Sequence, residues 1–193
     1  MHTFTRRIIR VVVCTFAVFV ATTPRSHAEG IQRIRTTSPL IHSVLADASE
    51  KSPTLRSVVQ RIAESNIIVH LTCEQFKTVM INGRTLWVEA NGDARYLRVQ
   101  IDCMLPRANF VAILGHELQH VAEVADRPEV IDERSFVKLF ETIGFATCRN
   151  KVMEQFETDD ATAVGRRVRD EFLHRWPVGA RLVTDSRRGV PVE

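Results

Sequence analysis

The sequence predicts an α+β domain in which a small antiparallel β-meander packs against one central helix and several others. Two patterns carry that prediction. Residues 67–101 contain β-branched and alternating stretches divided by two Asn-Gly pairs, and the segments on either side place apolar residues at helical spacing. With 193 residues, 45% hydrophobic and 25% charged, the chain has the length and composition of one globular domain with a sizeable core.

Residues 38–65 hold two helical patterns separated by Ser52-Pro53, the second with Leu55, Val58, Val59 and Ile62 on one face. From Ile67 the run IIVHL is strand-like. The stretches KTVMI, RTLWVEA and RYLRVQI follow, punctuated by Asn82-Gly83 and Asn91-Gly92, which predicts the meander. Pro106 suits a first helical turn, and apolar periodicity then runs to about Ala125, where Asp126, Arg127 and Pro128 stop it. Asp132 is an N-cap candidate for a helix with the body SFVKLFETI and Gly144 as its stop. A last helix over residues 158–175 puts Ala161, Val164, Val168 and Phe172 on one face and leaves Arg166, Arg167 and Arg169 on the solvated side.

The two ends read differently from the middle. Residues 1–28 carry Arg6, Arg7 and Arg10, a short apolar run to Val20 and a Ser26-His27-Ala28 cleavage pattern, as a secretory signal peptide does. The apolar run is shorter than a spanning helix, so the reading is export to the periplasm or medium, with an uncleaved anchor as the alternative. Val13 before Cys14 speaks against a lipid anchor. Residues 29–176 form the predicted domain and residues 177–193 a loose tail. Cleavage would remove four arginines and no acid, turning 26 basic against 23 acidic side chains into 22 against 23. The basic balance of the whole chain therefore belongs to the leader, and no nucleic-acid surface or stable membrane insertion is expected of the mature protein. Cys73, Cys103 and Cys148 remain, which in an oxidising compartment implies one disulfide of three possible pairings. None lies in a C-x-x-C arrangement, so a cysteine zinc site is not expected.

The stretch GHELQHVAEV, residues 115–124, carries the chemistry. Residues four apart share a helix face about 6 Å apart along the axis, so His116 and His120 can offer ring nitrogens to one ion. Glu117 would lie beside the ion's open position, where a carboxylate can take a proton from bound water. On a helical wheel Glu117 falls within the apolar arc of Phe110, Leu114, Leu118, Val121 and Ala125. A carboxylate buried there without a partner would cost several kcal/mol, so it calls for a cation, a proton or a water-filled cleft. The bland alternative is two core histidines and a glutamate paired with an arginine. A catalytic zinc usually has three protein ligands. Glu123 is one turn beyond His120 but about 10 Å along the axis from His116, which suits a supporting role better. Glu157, expected to open the final helix and point inward, is the better third ligand, its own alternative being an acid that stabilises a helix N-terminus.

GHELQH followed by FETDDATA resembles the gluzincins, zincin-type zinc peptidases in which a glutamate on a later helix, in an E-x-x-x-D or E-x-x-x-A setting, completes the two-histidine site. Glu157 and Ala161 match the second form, and Asp160 is one position off the first. The metzincin pattern does not fit, because position 126 is Asp and position 123 is not Gly. The mature chain is also similar to a group of small secreted bacterial proteins with the HELQH helix, an RYLR-type strand and an FET segment. The resemblance implies a minimal zincin-like fold, a Zn2+ cofactor on His116, His120 and Glu157, Glu117 as general base and acid, and a peptide or protein substrate. It further implies that the strand RYLRVQI offers its edge to the peptide and that a Tyr, His or Arg stabilises the oxyanion, with Tyr96, His70, His174 and the arginines as candidates. A catalytically silent, zinc-stabilised interaction module is the second expectation.

Overall fold

The computed structural model describes residues 33–76, 81–149 and 154–174. The predicted leader, the stretch KTVMI apart from Ile81, and the predicted tail lie outside them.

Strand β1 (Ile34–Thr36) leads into α1 (Pro39–Lys51) and α2 (Pro53–Glu64), then β2 (Ile67–Glu74), β3 (Gly83–Asn91) and β4 (Ala94–Asp102). The long helix α3 (Arg107–Ala125) and the shorter α4 (Glu133–Ile143) come next. A two-stranded ribbon, β5 (Phe145–Arg149) and β6 (Glu154–Glu157), precedes the last helix α5 (Asp159–His174). No helix among the described residues is long and apolar enough to cross a membrane.

The helix ends follow the local chemistry. Ser38 and Ser52 cap α1 and α2, accepting from Ile41 N and Leu55 N, and each is followed by a proline in the first turn. Asp132 caps α4 in a reciprocal arrangement with Ser135, and Gly144 ends it. Pro106 proves to be the residue before α3 rather than its first turn. One long-range clamp joins α5 to the start of α2: the Glu171 carboxylate accepts from Ser52 Oγ at 2.5 Å, Thr54 N at 3.1 Å and Thr54 Oγ1 at 2.7 Å.

The α+β class is as expected, but the meander is not. The main sheet has the order β1-β2-β4-β3, with β1 and β4 both parallel to β2, and only β3 and β4 form an antiparallel hairpin, turning at Asn91-Gly92. Burial explains the insertion of β4 between β2 and β3. Ile67, Val69 and Leu71 of β2 and Leu97, Val99 and Ile101 of β4 are fully buried, whereas no residue of β3 is. The two apolar strands take the centre, and the one carrying Gly83, Arg84, Glu89 and Asn91 takes the edge. A disulfide between Cys73 and Cys103 ties the end of β2 to the β4–α3 connection, which settles the pairing that sequence left open.

Helix α3 runs through the middle. It is buried on nearly every side, against the sheet on one flank and α2 and α5 on the other. Leu114 and Leu118 are completely enclosed, so truncating either to Ala would cost about 2–5 kcal/mol. An element this constrained gives its side chains fixed directions.

Candidate metal centre

His116 and His120 leave α3 on one side, their rings 4.8 Å apart between centroids and nearly perpendicular. His116 is half-buried and His120 buried. Glycine sets the depth of the first: a Cβ on Gly165 of α5 would come within 2.9 Å of Ala112 O and 3.1 Å of His116 Cβ, so α5 can lie this close to α3 only without one.

Glu157 is not in the final helix, contrary to expectation. It ends β6. Thr158 takes the cap instead, its Oγ1 accepting from Ala161 N at 3.0 Å, so that α5 begins at Asp159 and Glu157 remains in extended backbone. From there its Oε2 reaches to 2.8 Å from His116 Nε2 and 3.9 Å from His120 Nε2. The ligand atoms of His116, His120 and Glu157 all lie within 4.8 Å of one another, a group that could hold a metal ion.

Does the donor set suit one? Glu157 Oε2 is fully buried yet has no properly directed hydrogen bond, despite its closeness to His116 Nε2. A buried carboxylate oxygen left in that condition wants a cation. Ligands about 2.0–2.1 Å from a tetrahedral ion stand roughly 3.3 Å apart; here the carboxylate oxygen is 2.8 and 3.9 Å from the two ring nitrogens and the three ligand atoms lie within 4.8 Å of one another, so small side-chain shifts would complete the set. Two imidazole nitrogens and one carboxylate oxygen fit a borderline-soft divalent metal.

Glu123 has the supporting place expected for it. Its Oε2 lies 2.9 Å from His120 Nδ1, and because a carboxylate only accepts, Nδ1 carries the proton and Nε2 is directed at the cluster. Its other oxygen accepts from Thr158 Oγ1 at 2.7 Å. One threonine therefore caps α5, holds Glu123 and adjoins Glu157.

Glu117 is 5% exposed, as its place on the helical wheel required. Its carboxylate accepts a hydrogen bond from Thr85 Oγ1 of β3 at 2.8 Å, a hydroxyl where the bland alternative expected an arginine. Period-two alternation turns Gly83, Thr85 and Trp87 of β3 toward α3. A Cβ on the first would sit 2.6 Å from both Glu117 Oε1 and Ile113 Cγ2, so any side chain there would displace the Glu117 carboxylate.

Electrostatics separate the acids. Burial pushes the Glu117 carboxyl up, and His120, His116 and the Thr85 hydroxyl only partly counter it. Burial also disfavours the charged form of Glu157, but the close imidazoles of His116 and His120 win and hold it down at about 2. For His120 burial is outweighed by Glu123 and Glu157, then by the charge of Glu117, which together raise it to about 10 in the metal-free protein.

These groups open onto a cleft of about 600 Å³ between β3 and α4. Compared with known protein families, curated proteins and solved structures, the chain matches none. The peptide edge expected on β4 is not there: β4 is an interior strand, and it is β3 whose outer edge borders the cleft. Tyr96, His70 and His174, the oxyanion candidates named by residue type, do not line it, whereas Arg84 does. Sequence reasoning also missed Thr85, Thr158 and the aromatic wall formed by Trp87, Phe136 and Phe140. Only Thr158 had a local signal, a threonine before two acids at a helix start.

Proposed function

We propose that the protein is an exported zinc-dependent peptidase of zincin type. The observation that carries the proposal is the convergence of His116, His120 and Glu157 at the floor of an open cleft that Glu117 also lines. Bound there, zinc would supply Lewis acidity and lower the pKa of a coordinated water.

The chain's own residues account for the rest. Glu123 fixes the tautomer and direction of His120, and Gly165 lets His116 sit against α5. Glu117 is the base: its buried carboxylate, steered by Thr85, takes a proton from the attacking water and returns it to the leaving amine. An extended polypeptide would lie along β3, whose outer edge has backbone donors and acceptors to offer.

The decisive comparison is between wild type and Glu117→Gln, both carrying one zinc, on a peptide library read by mass spectrometry. Removing the base should slow cleavage by about 10²–10⁴-fold without loss of metal. Zinc-loaded wild type that cuts nothing would leave the interaction-module reading in its place.

A further inference from the structure

The cleft lining includes Ile113 of α3 and Phe156, the neighbour of Glu157 in β6. Starting from the cluster, ring follows ring: His120 packs edge-on against Phe140 at 5.2 Å between centroids, Phe140 against Phe136 at 5.0 Å, and Phe136 against Trp87 at 6.2 Å. Phe140 is buried, but Phe136 and Trp87 are only half-buried, and Val137, 36% exposed, continues the same wall.

We propose that this wall is a specificity pocket, and that the protein selects an extended peptide with a bulky apolar side chain, aromatic or branched aliphatic, beside the bond to be cut. The proposal rests on the peptidase reading above. Three features support it independently of one another.

First, the position is right: the wall begins at a ring that belongs to the candidate metal cluster, so a side chain lying on it belongs to a residue adjoining the reacting bond. Second, both flanks of the wall are well specified. Phe136, Val137 and Phe140 stand on one side of α4, whose start is fixed by the Asp132–Ser135 capping box, and Trp87 stands on the face of β3 that also presents Thr85. At Val88 a bulge follows, where β3 gains a residue over β4 and the edge bends. Third, the chemistry is one-sided. Between His120 and Trp87 the wall has no charged member, and the acid on α4 that does reach the cleft, Glu133, would repel an acidic side chain. Half-exposed aromatic rings in a concave site hold apolar surface in water that a bulky side chain would release, which is how such pockets discriminate.

The test uses the zinc-loaded full chain and N-acyl amino-acid hydroxamates that differ only in side chain, Phe, Leu, Ala or Asp, with acetohydroxamate as the reference for metal capture alone. Binding by calorimetry should favour Phe and Leu over Ala by about tenfold or more, with Asp the weakest. Phe136→Ala should shrink the Phe-to-Ala ratio to about threefold or less while leaving acetohydroxamate affinity and zinc content as in wild type. Val137→Asp, an exposed position at which folding is not at stake, should also reduce the ratio. Equal affinity for Phe and Ala in the wild type, or a preference that survives both substitutions, would overturn the pocket assignment. Failure of zinc or acetohydroxamate to bind at all is a different result, one that removes the peptidase reading and the pocket with it.

Discussion

Thr158 offers a sharp test of how the site is built, because one hydroxyl does two jobs. It caps α5 through Ala161 N, and it donates to the Glu123 oxygen opposite the one that His120 engages. Thr158→Val removes both. The cap is worth about 0.5–2 kcal/mol of stability. The link to Glu123 bears on the proposed metal site: loss of a carboxylate that orients a ligating histidine typically costs 10–100-fold in affinity, or about 1.4–2.7 kcal/mol. With both Glu123 oxygens buried and engaged at 2.7 and 2.9 Å, Glu123→Ala should show most of that range and Thr158→Val a share of it. The assay is a double-mutant cycle, with zinc affinity read by chelator competition and stability by urea unfolding of the metal-free proteins. The affinity loss from Thr158→Val should nearly vanish in the Glu123→Ala background, whereas its stability loss should persist there. An affinity penalty of the same size in both backgrounds would refute the reasoning and leave Thr158 as a helix cap and nothing more.

Other consequences are equally direct. Gly165→Ala gains about 0.5–1 kcal/mol of helix propensity but drives a methyl against Ala112 O and His116 Cβ. The expected net result is a loss of about 1–2 kcal/mol on urea unfolding together with weaker zinc binding. For Glu171, burial is outweighed by the hydrogen bonds from Ser52 and Thr54, so its folded pKa lies below the unfolded one. Its contribution is present above the unfolded value and disappears as pH falls through the folded one, and Glu171→Gln should flatten the acid limb of stability against pH while costing about 1–2 kcal/mol near neutrality. His120 has the opposite sign: raised to about 10 in the metal-free protein, its stabilising charge is complete below its unfolded value and fades as pH rises through 10. A metal must displace that proton, so zinc binding at pH 7 should release about one proton from His120, measurable by calorimetry in buffers of different ionisation enthalpy.

The sequence made the histidine helix legible because its evidence is local. An apolar arc, a stop at residues 126–128 and a glutamate inside the arc are all within about twenty residues, and α3 ends at Ala125 with Glu117 buried. Caps were readable for the same reason at Asp132 and Gly144. Strand order was not, since alternation records which face is buried but not which neighbour is beside it, and the expected meander assumed that consecutive strands pair. The parallel pairing of β2 with β4 pairs Ile67 with Arg95 and Cys73 with Ile101, relations that no short window contains. That error carried over to the peptide edge, which moved from β4 to β3. Glu157 shows the intermediate case. Its meeting with the histidines followed from chemistry, whereas its assignment to a helix overlooked the stronger claim of Thr158 to the cap. Thr85 had no signal at all, because only the folded sheet brings it to Glu117.

One metal held by three side chains from distant parts of the chain is the central proposal, and equilibrium zinc titration of the metal-free protein tests it most directly. The prediction is one tight equivalent per chain, weakened at least a hundredfold by each of His116→Ala, His120→Ala and Glu157→Ala in proteins that remain folded. Binding that survives Glu157→Ala unchanged, or that is no tighter than that of the urea-unfolded chain, would contradict it.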